Sequence, residues 1–138
     1  MKKILIIFGI LIVILFSLLY LQKSKKTDEM GIKIFYNNKV EILTFSKLNS
    51  FEKISFITAR DDKFSGYDLT AILNSIKIPA NSKTTYSFHS NDGGTLTVNK
   101  EESEFLYLVF QDDFIRLVIP SDEFSQRWMK YISEIEIK

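Results

Sequence analysis

An uninterrupted apolar run near the start of the chain constrains it more than any other feature. Residues 4–21 contain no charged side chain, and only Gly9 and Ser17 among them are not hydrophobic. As a helix this run would be about 27 Å long, close to the thickness of the hydrocarbon core of a bilayer. The exit of the run, Leu18 to Lys23, has bulky residues where the small-x-small pattern of a signal-peptide cleavage site would need small ones. The run therefore predicts an uncleaved transmembrane anchor from Ile4 to Leu21, favoured over a cleaved signal peptide.

This anchor would divide the chain into a short flank (1–3), the membrane span (4–21), a polar linker (22–30) and one globular domain (31–138). Lysines stand on both sides of the run, so the positive-inside rule does not choose an orientation. A start with Lys2 and Lys3 ahead of the run resembles a secretory signal. We therefore expect a single-pass, signal-anchor membrane protein whose C-terminal domain lies outside the cytoplasm and whose first partner is the lipid bilayer.

The composition of residues 31–138 excludes several classes of function. This part of the chain holds 13 Lys plus Arg and 15 Asp plus Glu, dispersed along the sequence, which is not the footprint of a nucleic-acid-binding protein. The chain has no cysteine, which excludes disulfides, thiolate nucleophiles and cysteine-ligated zinc or iron–sulfur sites. His89 is the single histidine, and no nucleophile motif or metal-ligand spacing accompanies it. Neither a catalytic constellation nor a metal site is predicted.

Local patterns predict a β-rich α+β domain of seven or eight strands with one clear helix. The helix is indicated by Leu69, Ile72, Leu73 and Ile76, whose spacing gives one apolar stripe. Turn signals at Asn37-Asn38 and at 91–94, Asn-Asp-Gly-Gly, predict two hairpins. Further strands are predicted over 53–59, 105–110 and 114–119, and the isoleucine-rich end closes the domain.

Three bases are the candidate ligand-binding residues. Arg116 interrupts an otherwise apolar strand, where a cation must face solvent, pair with an acid or contact a ligand. Arg127 and Lys130 stand three residues apart around Trp128. The alternative for each is a solvated base beside an apolar strand or a tryptophan core anchor.

Four short segments follow one another along the chain: Phe64 to Leu73, Ser90 to Gly93, Ile115 to Pro120 and Arg127 to Ile132. In this order they resemble the molybdopterin-binding domain of sulfite-oxidase-like oxidoreductases. The resemblance implies that fold for the domain, and it implies contacts of Arg116 and Lys130 with a pterin cofactor. The molybdenum-ligating cysteine of that family has no counterpart here, which argues against family-type redox catalysis.

The sequence thus favours a membrane-anchored, extracytoplasmic, non-catalytic binding module for a small anionic ligand or a protein partner, with no cofactor. Two alternatives stay open: an oxidoreductase component that retains a molybdopterin-type cofactor, and a structural subunit of a membrane complex.

Overall fold

A computed structural model describes the backbone of residues 2–29, 31–103 and 105–138, and the side chains of 8–21, 31–103 and 105–138. The chain divides into two compact units, Met1–Met30 and Gly31–Lys138. The first residue of the predicted N-terminal flank and the last residue of the predicted linker lie outside the described residues.

The first unit contains one helix, α1 (Lys2–Glu29), so most of the predicted linker is helical. The described side chains of α1, residues 8–21, are exposed. Within the described part of the chain, no helix is long and apolar enough to cross a membrane. On this finding the predicted anchor over Ile4 to Leu21, the single-pass signal-anchor assignment and the membrane localisation are wrong.

The second unit is an α+β, β-rich domain with two sheets. The larger sheet contains β1 (Gly31–Tyr36), β2 (Lys39–Thr44), β5 (Thr85–Ser90), β6 (Thr95–Asn99) and β9 (Ile132–Ile137), in the order β2-β1-β9-β5-β6. Strand β1 pairs in parallel with the central strand β9, and the other three pairs are antiparallel. The predicted hairpins at Asn37-Asn38 and at 91–94 are confirmed. Asn37 and Asn38 both adopt the positive φ that a two-residue hairpin turn requires.

The smaller sheet contains β3 (Ile54–Ile57), β4 (Lys63–Asp68), β7 (Tyr107–Gln111) and β8 (Phe114–Val118), in that order and antiparallel throughout. Strand β4 has no strong sequence signal. It forms because it lies between β3 and β7, where Gly66 permits close contact. A Cβ atom on Gly66 would come within 2.9 Å of the Leu108 carbonyl oxygen and of Val109 Cγ2.

Two short helices connect the strands. Helix α2 (Phe45–Leu48) is capped by the Thr44 hydroxyl, which accepts a hydrogen bond from the Lys47 N–H. Helix α3 (Leu69–Ser75) is the predicted helix, and Asp68 caps it by accepting from the Thr70 N–H at 2.9 Å. Three residues of the predicted stripe, Leu69, Ile72 and Leu73, are fully buried in the core, whereas Ile76 is the C-cap and is half-buried.

The core lies against one face of each sheet. It includes Ile32 and Ile34 of β1, Phe88 of β5 and Ile135 of β9, all at 0 % exposure. The described residues therefore contain nine strands in two sheets, and the fold-class prediction is corrected to this α+β architecture without a membrane span.

Candidate functional site

The segment 128–131 lies beside β8, an edge strand of the smaller sheet. The Leu117 N–H donates to the Met129 carbonyl at 2.8 Å, and the Trp128 indole N–H donates to the Ile119 carbonyl at 3.0 Å. The rings of Phe114 and Tyr131 lie 4.6 Å apart. From Phe114 to Ile119 these contacts reach residues of the segment in descending order, from Tyr131 to Trp128. The segment therefore runs antiparallel to β8. This arrangement places Lys130 beside Arg116 along the backbone.

Arg116 is half-buried, and its cation has no carboxylate partner among the described residues. Its Cζ lies 5.9 Å from the centroid of the Phe114 ring, within the range of a cation–π interaction. Its Nε is buried and has no hydrogen-bond partner among the described side chains and backbone. The guanidinium therefore combines a desolvated donor with the lack of an acidic partner among the described residues.

Arg127, in contrast, is fully engaged. Its Nε donates to Asp122 Oδ2 at 3.1 Å, and a second guanidinium nitrogen donates to the other Asp122 oxygen. Glu102 approaches at 3.6 Å and the Ser103 hydroxyl at 3.4 Å. The hydrogen bond to Asp122 raises the pKa of Arg127 above its ordinary value. Arg127 therefore ties the 3₁₀ turn Ser125–Arg127 to neighbouring segments, and its charge is neutralised before any ligand arrives.

Lys130 is exposed and lines a small cleft of about 260 Å³. One wall of the cleft is the β5–β6 turn and the other is the segment 126–130; the lining residues are Ser90, Asp92, Gly94, Thr95, Leu96, Gln126, Arg127, Trp128, Met129 and Lys130. The walls are held together by the Asn91 N–H, which donates to the Tyr131 carbonyl at 3.0 Å. The volume is below the range usual for drug-sized ligands, so the cleft suits a small polar group at most.

The turn that forms this cleft is organised by Ser90. Its hydroxyl donates to the Asp92 carboxylate and accepts from the Gly94 N–H at 2.9 Å. The hydrogen bond from Ser90 is the largest cause that lowers the pKa of Asp92 below 3.8. Asp92 is consequently ionised at neutral pH and contributes a negative charge to the wall opposite Lys130.

We expect Ser90→Ala to raise the pKa of Asp92 toward 3.8, because the hydroxyl stabilises the carboxylate form. A folded-state pKa below the unfolded value means that ionised Asp92 favours the fold above the ordinary pKa. That contribution is lost as pH falls through the lowered value. Carboxyl chemical shifts followed by NMR between pH 2 and pH 6 measure this pKa. The control is Ser87→Ala, which removes a hydroxyl of β5 that contacts Thr97 and not Asp92. An unchanged Asp92 pKa in Ser90→Ala would contradict the assignment.

The structure thus brings two of the three predicted residues to one cleft. Arg127 and Lys130 both line it, whereas Arg116 lines none of the described cavities and reaches Lys130 only through the adjacent backbone. Sequence reasoning did not place Ser90 and Asp92 in a site, since the Asn-Asp-Gly-Gly pattern predicted only a turn. A serine just before that turn was the one available signal.

His89 lies on β5, and its Nδ1 is 3.1 Å from the Thr95 hydroxyl oxygen across the strand pair. Neighbouring hydroxyls make similar cross-strand bonds, with Thr85 to Asn99 at 3.0 Å and Ser87 to Thr97 at 3.4 Å. Among the described residues no group of three His, Cys, Asp or Glu side chains could hold a metal ion. The histidine is therefore part of a polar ladder on the outer face of the larger sheet.

Comparison with models of protein families matches none of them, and no curated protein matches the chain. The resemblance to molybdopterin-binding domains stays a prediction on the residues that carry it. The donor set does not fit a molybdenum centre of that family, because the chain has no cysteine to supply the thiolate ligand.

Proposed function

We propose that the domain Gly31–Lys138 is a non-catalytic binding module that recognises a small anion through Arg116 and Lys130. The observation that carries this proposal is the Arg116 guanidinium, which is held against an aromatic ring and has no acidic partner among the described residues.

The placement of Arg116 supports recognition of an anion. The Phe114 ring on one side of the guanidinium limits its motion, and the Tyr131 ring packs against Phe114 in turn. A pre-positioned guanidinium loses little entropy when it binds a carboxylate or phosphate through two parallel hydrogen bonds. A lysine cannot supply the same planar pair of donors, which is why an arginine suits this position.

We assign the second positive charge to Lys130, which is exposed and whose chain neighbour Met129 is hydrogen-bonded to Leu117, the chain neighbour of Arg116. Within the described residues it forms no ion pair. Asp92 on the opposite wall of the cleft repels anions, so the net attraction suits one carboxylate or phosphate group rather than a polyanion. Arg127 is excluded from direct recognition, since Asp122 and Glu102 already neutralise it.

Binding of inorganic phosphate and of acetate to the full chain tests the proposal. We expect Arg116→Gln to weaken binding by about tenfold or more, because a charge-assisted hydrogen bond contributes about 1.5–3 kcal/mol. Lys130→Gln should weaken binding less, since a lysine makes a single flexible contact. NMR titration at constant ionic strength measures both affinities.

The matched control is Lys33→Gln, which removes an exposed lysine whose charge is paired with Glu134 at 3.6 Å. Equal weakening by Lys33→Gln and Arg116→Gln would show a general charge effect and overturn the site. Stoichiometric molybdenum in elemental analysis of the purified protein would overturn the non-catalytic assignment and favour an oxidoreductase component.

A further inference from the structure

Strand β3 is an edge strand with a hydrophobic sequence, Ile54-Ser55-Phe56-Ile57. Ile57 is 60 % exposed and Ile54 37 % exposed, and the strand contains no charged residue. Natural edge strands are usually protected by charged side chains, proline or a covering segment, because an open edge pairs with other strands. The edge strand β2 follows this rule with Lys39 and Glu41. Strand β3 does not.

The hydrogen-bond pattern identifies which backbone groups of β3 are free. The Thr58 N–H donates to the Asp62 carbonyl at 3.0 Å, which continues the β3–β4 register by one pair. Bonded and non-bonded pairs alternate in an antiparallel ladder. Phe56 and Ile54 are therefore the bonded positions toward β4, and the N–H and C=O groups of Ser55 and Ile57 are directed to the open side.

One contact limits the open side. The Ala59 N–H, which has the same direction as those of Ser55 and Ile57, donates to the Pro120 carbonyl at 2.9 Å. The open stretch of β3 therefore ends before residue 59, and an added strand can pair only along Ser55 to Ile57. Such a short pairing site suits a second short strand and gives a weak, concentration-dependent association.

From this geometry we infer that β3 pairs with β3 of a second copy of the chain, antiparallel and with a two-fold axis at Phe56. The open groups are symmetric about Phe56, so Ser55 of each copy meets Ile57 of the other and four backbone hydrogen bonds form. A two-fold interface requires this self-complementarity. A partner strand of different sequence could form the same backbone hydrogen bonds. Only a second copy of β3, however, gives an interface with two-fold symmetry about Phe56.

The side chains around the axis support the same occupant. The Phe56 ring stacks on Tyr107, with centroids 4.1 Å apart and an interplanar angle of 15°, and Tyr107 stacks on Phe105. Pairing at the axis would place the two Phe56 side chains opposite each other, which joins the two aromatic rows. Phe105, half-exposed at the end of its row, shows that this apolar surface is not covered within the described residues of one copy.

The charges that flank β3 are also compatible with self-pairing. Glu52 and Lys53 precede the strand, and Arg60 and Asp61 follow it. In an antiparallel pair the leading flank of one copy approaches the trailing flank of the other. In this register Glu52 of one copy approaches Arg60 of the other, while Arg60 also lies 4.0 Å from Asp62 of its own chain.

Engineered cysteines test the register directly, because the natural chain has none. Full-length Ser55→Cys and Ile57→Cys chains, carrying different tags, are mixed and oxidised. A bonded antiparallel pair has Cα atoms about 5.5 Å apart, within the 4.4–6.8 Å that a disulfide spans. We expect the mixed Ser55–Ile57 disulfide to form at least about tenfold faster than either same-site disulfide, which would join diagonal positions about 7–8 Å apart.

The control places the same pair of changes on β2, an edge strand of the larger sheet, as Val40→Cys and Ile42→Cys, whose side chains are 53 % and 55 % exposed. A mixed β3 disulfide that forms no faster than the β2 control, or no faster than the same-site products, would overturn the proposal. Analytical ultracentrifugation gives a second measurement without cysteines. Ile57→Lys should shift the full chain toward monomer and Ile42→Lys should not, and equal behaviour of the two variants would also overturn it.

Discussion

Phe88→Ala is expected to lower the free energy of unfolding by about 3–5 kcal/mol, the range for removal of a fully buried aromatic side chain. Phe88 is 0 % exposed and lies on β5, the strand between β9 and β6. Its ring lies 6.2 Å from that of Tyr86, and its cross-strand neighbours are Leu96 and Ile135. The truncation removes apolar contacts from the core face of the larger sheet and leaves a cavity that neighbouring strands cannot close.

Equilibrium denaturation measures this loss. Phe124→Ala removes the same ring from a position that is 68 % exposed and should change stability by less than about 0.5 kcal/mol. Equal losses of stability in the two variants would contradict the burial of Phe88 in the core beside β5.

Arg127→Ala should cost about 2 kcal/mol, less than the 3–5 kcal/mol of a fully buried pair because the guanidinium is partly exposed. The side chains of Arg127 and Asp122 are 33 % and 9 % exposed, so removing the arginine leaves a largely buried carboxylate without its partner. The exposed pair of Lys33 and Glu134 gives the control, since Lys33→Ala should cost at most about 0.5 kcal/mol.

A double-mutant cycle makes this prediction specific to the ion pair. Asp122→Ala combined with Arg127→Ala should cost less than the sum of the single changes, because no unpaired charge remains in the double variant. Strict additivity of the two losses would contradict a direct pair and would return Arg127 to the set of free bases available to a ligand.

The elements that sequence reasoning predicted correctly depend on neighbours along the chain. The stripe from Leu69 to Ile76 is a local period, and the Asn-Asp-Gly-Gly turn is a local backbone preference, so each is visible in a few residues. Strand β4 was missed for the opposite reason. Its residues have no strong strand pattern, and Gly66 is favourable there only because β7 approaches it closely.

The candidate site was likewise predicted only in part. Arg116 was found because a cation inside an apolar strand is conspicuous in any sequence. The different roles of Arg127 and Lys130 could not be read from two bases around a tryptophan. Asp122, five residues before Arg127, is oriented toward it only by the turn between them, and Glu102 reaches it from a distant segment.

The sequence by itself determined that cysteine chemistry is absent, and it predicted two hairpins, the main helix and a cation inside an apolar strand. These follow from composition and from interactions between residues close together in the chain. The tertiary structure alone decided that β1 pairs with β9, that Lys130 lies beside Arg116, and that the edge of β3 is open. Each of these depends on contacts between segments far apart in sequence, which the folded backbone selects and no local pattern records.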